Sequence, residues 1–434
     1  MKRIVASVGL VAVGASGVQA ASVADMTTEG AKPWSVFASL RGFYDDNVGT
    51  APKSDPNHVE SLGWEVSPGL NLKWTGEQTT FNLGYIYSYL YYENPPPGQS
   101  GKTSQTHSFQ ALLDHSFNEQ NKVKLQDSFV IGQEADFLRA GSTFATFQRV
   151  PGNNIRNYGG ITYNAELSRL FGIELGYDNV YFHYQDSGTI TNNLGQISPS
   201  RGGLLDRLEN YLHLDGRWKL QPDTVGVIGY RYGQVNYIGD EIITQDSAPP
   251  HAYYKSDVRN SRSQYGYLGV DHTFRPDLTG SLRAGARYTQ FPNEPDNGSN
   301  IGPMLQGNLA YSYAPESSVQ LGLNADLSAT DIFSAENGSV TTSAQSATIY
   351  ATLYHRIMPK LYGNLTAQFQ NSRFIGGSFN NESDRYFLAG LNVEYRFNQY
   401  LSTHVGYNYD KLGSDVPNRS FDRNRVYIGV TATY

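Results

Sequence analysis

The residues most able to do chemistry in this chain are few and scattered. Asp45, Asp46 and Asn47 are consecutive, and adjacent carboxylates beside an amide oxygen are the hard donors that Ca²⁺ takes. Asp and Asn also start turns by bonding their own backbone. No EF-hand spacing follows the triplet, so a turn is the expected role and no metal site is expected. His213 stands two residues from Asp215, a pair that could join a distant serine in a nucleophilic triad. One His on a polar face is ordinarily a lining residue, however, and the nine His follow no metal spacing. The chain carries no Gly-x-Ser-x-Gly elbow, no His-Glu-x-x-His and no phosphate-binding glycine loop. It also has no cysteine, which removes thiolate metal sites, cysteine nucleophiles and disulfides. The expectation is a protein with no catalytic residues and no cofactor.

The elements that would position these residues repeat along the chain. Runs of period-two alternation are joined in turn by very short turns and by longer segments rich in Gly, Pro, Asn, Asp and Ser, the pattern of antiparallel strands. From Arg207 to Trp218, Leu208, Leu212, Leu214 and Trp218 share one face while Arg207, Glu209, His213, Asp215 and Arg217 share the other. From Val319 to Leu327, Val319, Leu321, Leu323, Ala325 and Leu327 alternate with Gln320, Gly322, Asn324 and Asp326. Both faces are mixed between Val225 and Val235, where the register is open. Eight short turns are legible, at Thr75–Gln78, Asn118–Asn121, Leu170–Gly172, Gln221–Asp223, Arg275–Asp277, Pro315–Ser317, Met358–Pro359 and Asn398–Gln399. They join sixteen strands; a first strand from Trp34 and a last one from Arg423 bring the number to about 18, an even count as single-chain bacterial barrels have.

The last strand carries the clearest signal. Val426, Ile428, Val430, Ala432 and Tyr434 alternate with Tyr427, Gly429, Thr431 and Thr433, an apolar face toward lipid and a small or polar face toward a lumen. Gly429, Ala432 and the terminal aromatic Tyr434 match the signal of a barrel-closing strand. Composition agrees. Tyr (32), Phe (20) and Gly (44) are abundant, and charged residues make only 17% of the chain, with a net charge of −7. That balance, without a run of Lys or Arg, argues against a nucleic-acid partner. No segment has about 18 consecutive apolar residues, so a membrane-spanning helix is not expected. The expected fold is all-β: a single transmembrane antiparallel β-barrel with short periplasmic turns and longer extracellular loops.

The N-terminus differs in kind. A basic start at Lys2 and Arg3, an apolar stretch from Ile4 to Val18 and the small-x-small site Val18-Gln19-Ala20 are the parts of a secretory signal peptide. The expected organisation is a signal peptide over 1–20, a periplasmic lead over 21–33 and an outer-membrane barrel over 34–434.

Within that barrel, alternation sends both signs of charge to the lumen. The pore-lining candidates are Arg41, Glu65, Arg207, Glu209, His213, Asp215, Arg217, Arg283, Arg287, Asp326, Glu394 and Arg396. Charges so placed can form a transverse field that orients polar solutes, or pair along the wall as structural links. Arg283 and Arg287 share a face opposite Leu282, Ala284, Ala286 and Tyr288, and Asp271 is a carboxylate near enough to neutralise them. The tyrosines of the Tyr85, Tyr87, Tyr89, Tyr91 and Tyr92 run suit an interfacial girdle, with sugar stacking as the other reading.

Several stretches carry a family resemblance: Leu40-Arg41-Gly42-Phe43-Tyr44-Asp45-Asp46-Asn47-Val48, then Val66-Ser67-Pro68-Gly69-Leu70, Leu83-Gly84-Tyr85, and Leu125 to Glu134. With these motifs the chain resembles the putative β-barrel porin 2 family, most distinctively in its Tyr-Asp-Asp-Asn box. The resemblance implies an outer-membrane barrel of Gram-negative-type bacteria, with some members tied to exopolysaccharide systems. A barrel of this size leaves an aqueous channel. The expected function is therefore porin-like passive diffusion of small hydrophilic solutes, with exopolysaccharide export and a structural or enzymatic barrel as alternatives. The expected partners are outer-membrane lipid, the barrel-assembly machinery and small hydrophilic solutes or polysaccharide.

Overall fold

A computed structural model describes residues 32–132 and 152–434, apart from 98, 100, 187, 189, 192–196, 248 and 296. The signal peptide expected over 1–20 and the lead up to residue 31 lie outside the described residues.

Among the described residues, eighteen strands form one sheet. They are β1 (Trp34–Asp45), β2 (Ser61–Thr75), β3 (Thr79–Tyr92), β4 (Thr103–Ser116), β5 (Asn121–Gly132), β6 (Asn154–Glu166), β7 (Phe171–Tyr184), β8 (Arg207–Gln221) and β9 (Thr224–Tyr237) in the first half. The second half holds β10 (Ser261–Arg275), β11 (Leu278–Gln290), β12 (Ser299–Ala314), β13 (Ser317–Ser328), β14 (Ser343–Met358), β15 (Leu361–Ile375), β16 (Ser383–Asn398), β17 (Leu401–Ser414) and β18 (Phe421–Thr433). Each pairs antiparallel with the next, and β18 pairs with β1, so the sheet closes on itself. This is the all-β, 18-stranded barrel that the alternation predicts. Closure satisfies the hydrogen bonds of both edges, which an open sheet in hydrocarbon would leave unmade.

Alternation becomes two faces. Outward positions carry large apolar side chains on nearly every strand, among them Leu40, Phe109, Leu125, Ile161, Leu175, Leu212, Ile228, Leu268, Leu282, Ile301, Leu321, Ile349, Leu365, Leu391, Val405 and Ile428. On β3 the outward set is aromatic: Trp64 of β2 lies 5.6 Å from Tyr89 and 5.8 Å from Tyr91, and Tyr85 lies 4.6 Å from Phe109 of β4. Tyr92 instead turns inward and is buried with Phe43 and Leu90. Tyr85, Tyr89 and Tyr91 thus face away from the lumen, in keeping with a girdle. Between Val225 and Val235 the register left open in the sequence is decided: Val227 and Arg231 are buried while Ile228 and Tyr230 are exposed.

The short turns are built from side chains that cap their own backbone. Asn118 Oδ1 accepts from the N–H groups of Gln120 and Asn121 at 2.9 and 2.8 Å, and Asn398 Oδ1 accepts from Tyr400 and Leu401 at 2.8 and 3.0 Å. The turn expected at Leu170–Gly172 lies earlier. Ser168 Oγ accepts from Leu170 and Phe171 N–H, so the reversal is complete before Phe171 and that residue already opens β7.

The β18–β1 seam pairs Gly429 with Arg41 and Ala432 with Ala38, and Val36 exchanges two backbone hydrogen bonds with Tyr434 at 3.0 and 2.8 Å. Gly429 is where a side chain would not fit: a Cβ there would come within 2.8 Å of the Leu40 carbonyl oxygen and 2.6 Å of His404 Nε2.

The faces of β8 give a direct check on register. Leu212 is 50% exposed on the outer face, whereas neighbouring His213 reaches toward Glu174 and Asp178 of β7 inside. Leu212→Arg is expected to destabilise the barrel in lipid by about 2–4 kcal/mol, the cost of a cation toward the bilayer midplane. His213→Arg places its charge beside two carboxylates and is expected to fold at wild-type levels. The fraction of heat-modifiable barrel in outer-membrane extracts measures both, and equal losses would contradict the register.

Candidate functional site

The candidate site is the inner wall of the barrel. Its chemistry changes around the circumference, because each strand contributes only its inward set. From β7 to β11 the wall is charged. Arg217 donates to Asp271 at 2.7 Å and to Glu174 at 3.3 Å, and Arg283 forms a second ion pair with Asp271 at 2.7 Å. Asp215 accepts from the Tyr267 hydroxyl. Toward the outer end, Arg231 lies between the rings of Tyr211 and Tyr265, at 4.4 and 4.5 Å, and reaches Asp326 of β13 at 3.7 Å. Arg287 donates to the same carboxylate at 2.9 Å and also to Asn300 and Gln345. Arg207 bonds Glu209 at 2.7 Å and lies over the Phe182 ring.

A second charged arc straddles the seam from β16 to β2. Arg41 pairs with Glu65, which also accepts from Ser67 at 2.7 Å, and the Arg41 guanidinium lies over the Tyr427 ring. Arg396 donates twice to Glu394, at 3.1 and 3.0 Å, and stacks on Tyr362. Between the charged arcs the wall is mostly uncharged and polar at mid-height, with Asp326 on β13 and Asp114, Lys124 and Arg156 on β4 to β6 as charged exceptions. One such arc, β12 to β15, presents Gln306, Asn308, Gln320, Asn324, Thr348, Thr352, Thr366, Gln368 and Gln370 with Tyr350 among them. The other, β3 to β6, presents Ser88, Gln110, Gln126 and Thr162 at mid-height.

All twelve pore-lining candidates therefore sit on inward positions, but they are not equivalent. Arg287 and Arg207 are fully buried at 0% exposure, and Arg41 is nearly so, so these three are engaged in the wall's own bonding. His213, Asp215, Arg217, Arg283, Glu394 and Arg396 line the barrel in ion pairs or hydrogen bonds. Arg283 and Arg287, which share a face in the sequence, are separated in role by their partners. Each arc holds both signs side by side, so the arrangement is local neutralisation rather than one positive wall facing one negative wall.

The Asp45-Asp46-Asn47 box makes the expected turn, in which Asp45 Oδ1 accepts from Asn47 N–H at 3.0 Å, and it also joins the first strand to the last. The buried Asp45 carboxylate accepts from Arg423 at 2.9 and 2.6 Å and from Arg425 at 2.9 Å. Asp46 accepts from the backbone N–H and the side-chain amide of Asn424, both at 2.6 Å. Asn47 donates to the Asp422 carbonyl at 2.9 Å and holds its own loop through Ala51. All three acidic or amide groups thus close the seam at its outer end. Arg423 and Arg425 stand on inward positions of the last strand and pair across the seam.

The outer loops also contribute residues with no periodic signal in the sequence. Arg259 and Arg419, both buried, hold the loop 329–342 from two sides. Arg259 donates to the carbonyls of Thr330 and Ile332. Arg419 forms two bonds with Asp331, at 3.0 and 2.6 Å, and a third with Asp384 at 2.8 Å. Burial works against the Arg419 charge, but the pull of Asp331 and Asp384 outweighs it and holds the guanidinium above its ordinary range.

Residues 256–434 match the family described as Putative beta-barrel porin 2, the family the sequence resembles. The matched span runs from the end of the β9–β10 connection to the last strand, whereas the motifs that carry the resemblance precede it. No curated protein matches the chain. Solved structures similar to it include the outer membrane protein OpdK of Pseudomonas aeruginosa, at 13% identity over 92% of this chain and 99% of that one, with a TM-score of 0.42. A BenF-like porin from Pseudomonas fluorescens Pf-5 has 12% identity, the same coverage and a TM-score of 0.44. OccAB4 of Acinetobacter baumannii has 12% identity over 93% and 99% of the two chains, with a TM-score of 0.43.

Proposed function

We propose that this protein is an outer-membrane channel through which small hydrophilic solutes diffuse passively. The observation that carries the reading is a closed barrel of eighteen strands whose outer face is apolar and whose inner face is polar on every arc. An apolar outer belt fits the barrel to lipid, and this strand number is wide enough to leave an aqueous path. A cleaved signal peptide would deliver the chain, and the assembly machinery would receive it through the strand ending at Gly429, Ala432 and Tyr434. The family match supports a channel over an enzyme. Because charge on the wall is locally paired, ion selectivity is expected to be weak and solute choice to rest on size and polarity. Single-channel recording in a planar bilayer tests this: stepwise ohmic conductance is expected, and a folded barrel that never conducts would overturn it.

A second reading is favoured by the arc from Gln306 to Gln370, whose amides, hydroxyls and Tyr350 form a track in which Asp326 is the charged group and is held by Arg231 and Arg287, suited to polysaccharide passing outward. The same recording with added polysaccharide separates the two, since a chain threading the track interrupts the current and a small-solute pore excludes it.

Single substitutions follow from the partners. Arg283→Ser leaves Asp271 with one cation in place of two and is expected to move the reversal potential under a salt gradient toward cation preference, with assembly intact. An unchanged reversal potential would remove Arg283 from the selectivity of the pore.

A further inference from the structure

Loop 329–342, which connects β13 to β14, makes contacts that a connection between adjacent strands does not require. On one side, Arg259 from the β9–β10 connection bonds the carbonyls of Leu204, Thr330 and Ile332. Leu204 belongs to the short helix Arg201–Leu205 that precedes β8. The backbone of Asp246 bridges to Ala335, and its carboxylate accepts from the N–H groups of Asn337 and Gly338. Tyr184, Leu204, Leu205, Ile243, Tyr254, Val258, Ala335 and Val340 make one buried apolar cluster there. On the other side, Asp331 is held by Arg419 from the β17–β18 connection, and Ile332 packs with Phe374 and Val416. Gly376 and Gly377 have positive φ, 83° and 66°, which lets the β15–β16 connection close against Val340 and Ser334, where a Cβ would not fit.

The ring order turns these contacts into a geometry. The starts of β10 and β18, beside Arg259 and Arg419, are eight strands apart in a ring of eighteen, on opposite sides of the barrel. One segment bonded to both must cross the mouth between them. Behind it lies a chamber lined by Glu209, Tyr237, Ser263, Asp326, Ser328 and Ser346, together with Ala329 and Thr342 of the same loop. We infer that loop 329–342 is a latch across the outer mouth, fastened by Arg419 on Asp331, and that solute passage requires the latch to release. The inference rests on the channel reading and names its regulation. Release at the Arg419 end exchanges buried charge-assisted bonds for water, while the Asp246 and Arg259 end retains its apolar cluster and acts as the hinge side.

The cysteine-free chain makes the test direct. Bridge partners lie within the Cα separation that a disulfide spans, about 4.4–6.8 Å, so Asp246→Cys with Ala335→Cys ties the latch to the β9–β10 connection. A barrel in which 330–341 is replaced by a short Gly-Ser turn removes the latch altogether. Full-length proteins are compared in planar bilayers. The latch-deleted barrel and Arg419→Gln are expected to conduct several-fold more than wild type. The double-cysteine barrel is expected to conduct alike when oxidised and when reduced, because the tie lies on the hinge side, which stays attached on release. If Arg419→Gln does not fold, the deletion and the redox pair carry the comparison. Wild type conducting as fully as the latch-deleted barrel overturns the latch, and an oxidised double-cysteine barrel that conducts less than the reduced one overturns release at the Arg419 end; both leave the channel standing. A folded latch-deleted barrel without conductance overturns the channel reading itself.

Discussion

Asp45→Asn is expected to lower the amount of assembled barrel more than any single change on the pore wall. Its carboxylate takes both Arg423 and Arg425 in a buried position at the outer end of the seam. The neutral amide keeps the shape but not the charge, and it takes from two buried guanidiniums the carboxylate they share. Removing one member of a buried ion pair costs about 3–5 kcal/mol, and here the cost falls where the first and last strands must find each other. The backbone pairing of the seam remains, so the defect is expected as slower and less complete closure. Folding into detergent or liposomes, followed by the heat-modifiable gel shift, measures it. Asp46→Ala should have a smaller effect, since its partner Asn424 is neutral and only part-buried. Wild-type folding of Asp45→Asn would show that the box does not fasten the seam.

The second large effect contrasts two carboxylates that each hold two arginines. Asp326 joins Arg287 and Arg231 at a buried site, and Asp271 joins Arg217 and Arg283 where its side chain keeps 26% of its exposure. Asp326→Asn is expected to destabilise the barrel by about 3–5 kcal/mol, because both guanidiniums stay buried. Asp271→Asn is expected to leave assembly near wild type, since water reaches its partners and screens them. It should instead shift the reversal potential toward anions, opposite in sign to Arg283→Ser. Urea unfolding in detergent reads the first effect and a salt-gradient bilayer recording the second. If the two variants exchange phenotypes, the division between wall-bonding and water-facing charges is wrong.

The strands, their number and the direction in which most side chains point were legible because a membrane barrel repeats one physical rule at every residue: a polar lumen and an apolar lipid face at period two. That rule placed Leu212 outward and His213 inward, identified Gly429, Ala432 and Tyr434 in the closing strand, and assigned all twelve lining candidates to the inner face. It failed where both faces are mixed, as from Val225 to Val235, because Arg231 is inward yet stabilised by the Tyr211 and Tyr265 rings rather than by water. It also could not rank the inward charges. Arg283 and Arg287 look alike along the strand, and only the curvature that brings Asp326 and Gln345 against Arg287 buries one and not the other. The Asp45-Asp46-Asn47 box shows the same limit more sharply. Its local chemistry allowed a turn or a cation site, but its partners Asn424, Arg423 and Arg425 are some 380 residues away along the chain and become neighbours only when the ring closes. The crossing of loop 329–342 is likewise a tertiary fact, because Arg259, Asp331 and Arg419 carry no period that links them. Sequence determined what each strand exposes to lipid and to water; closure of the ring decided which charges meet, and therefore which of them remain available to a solute.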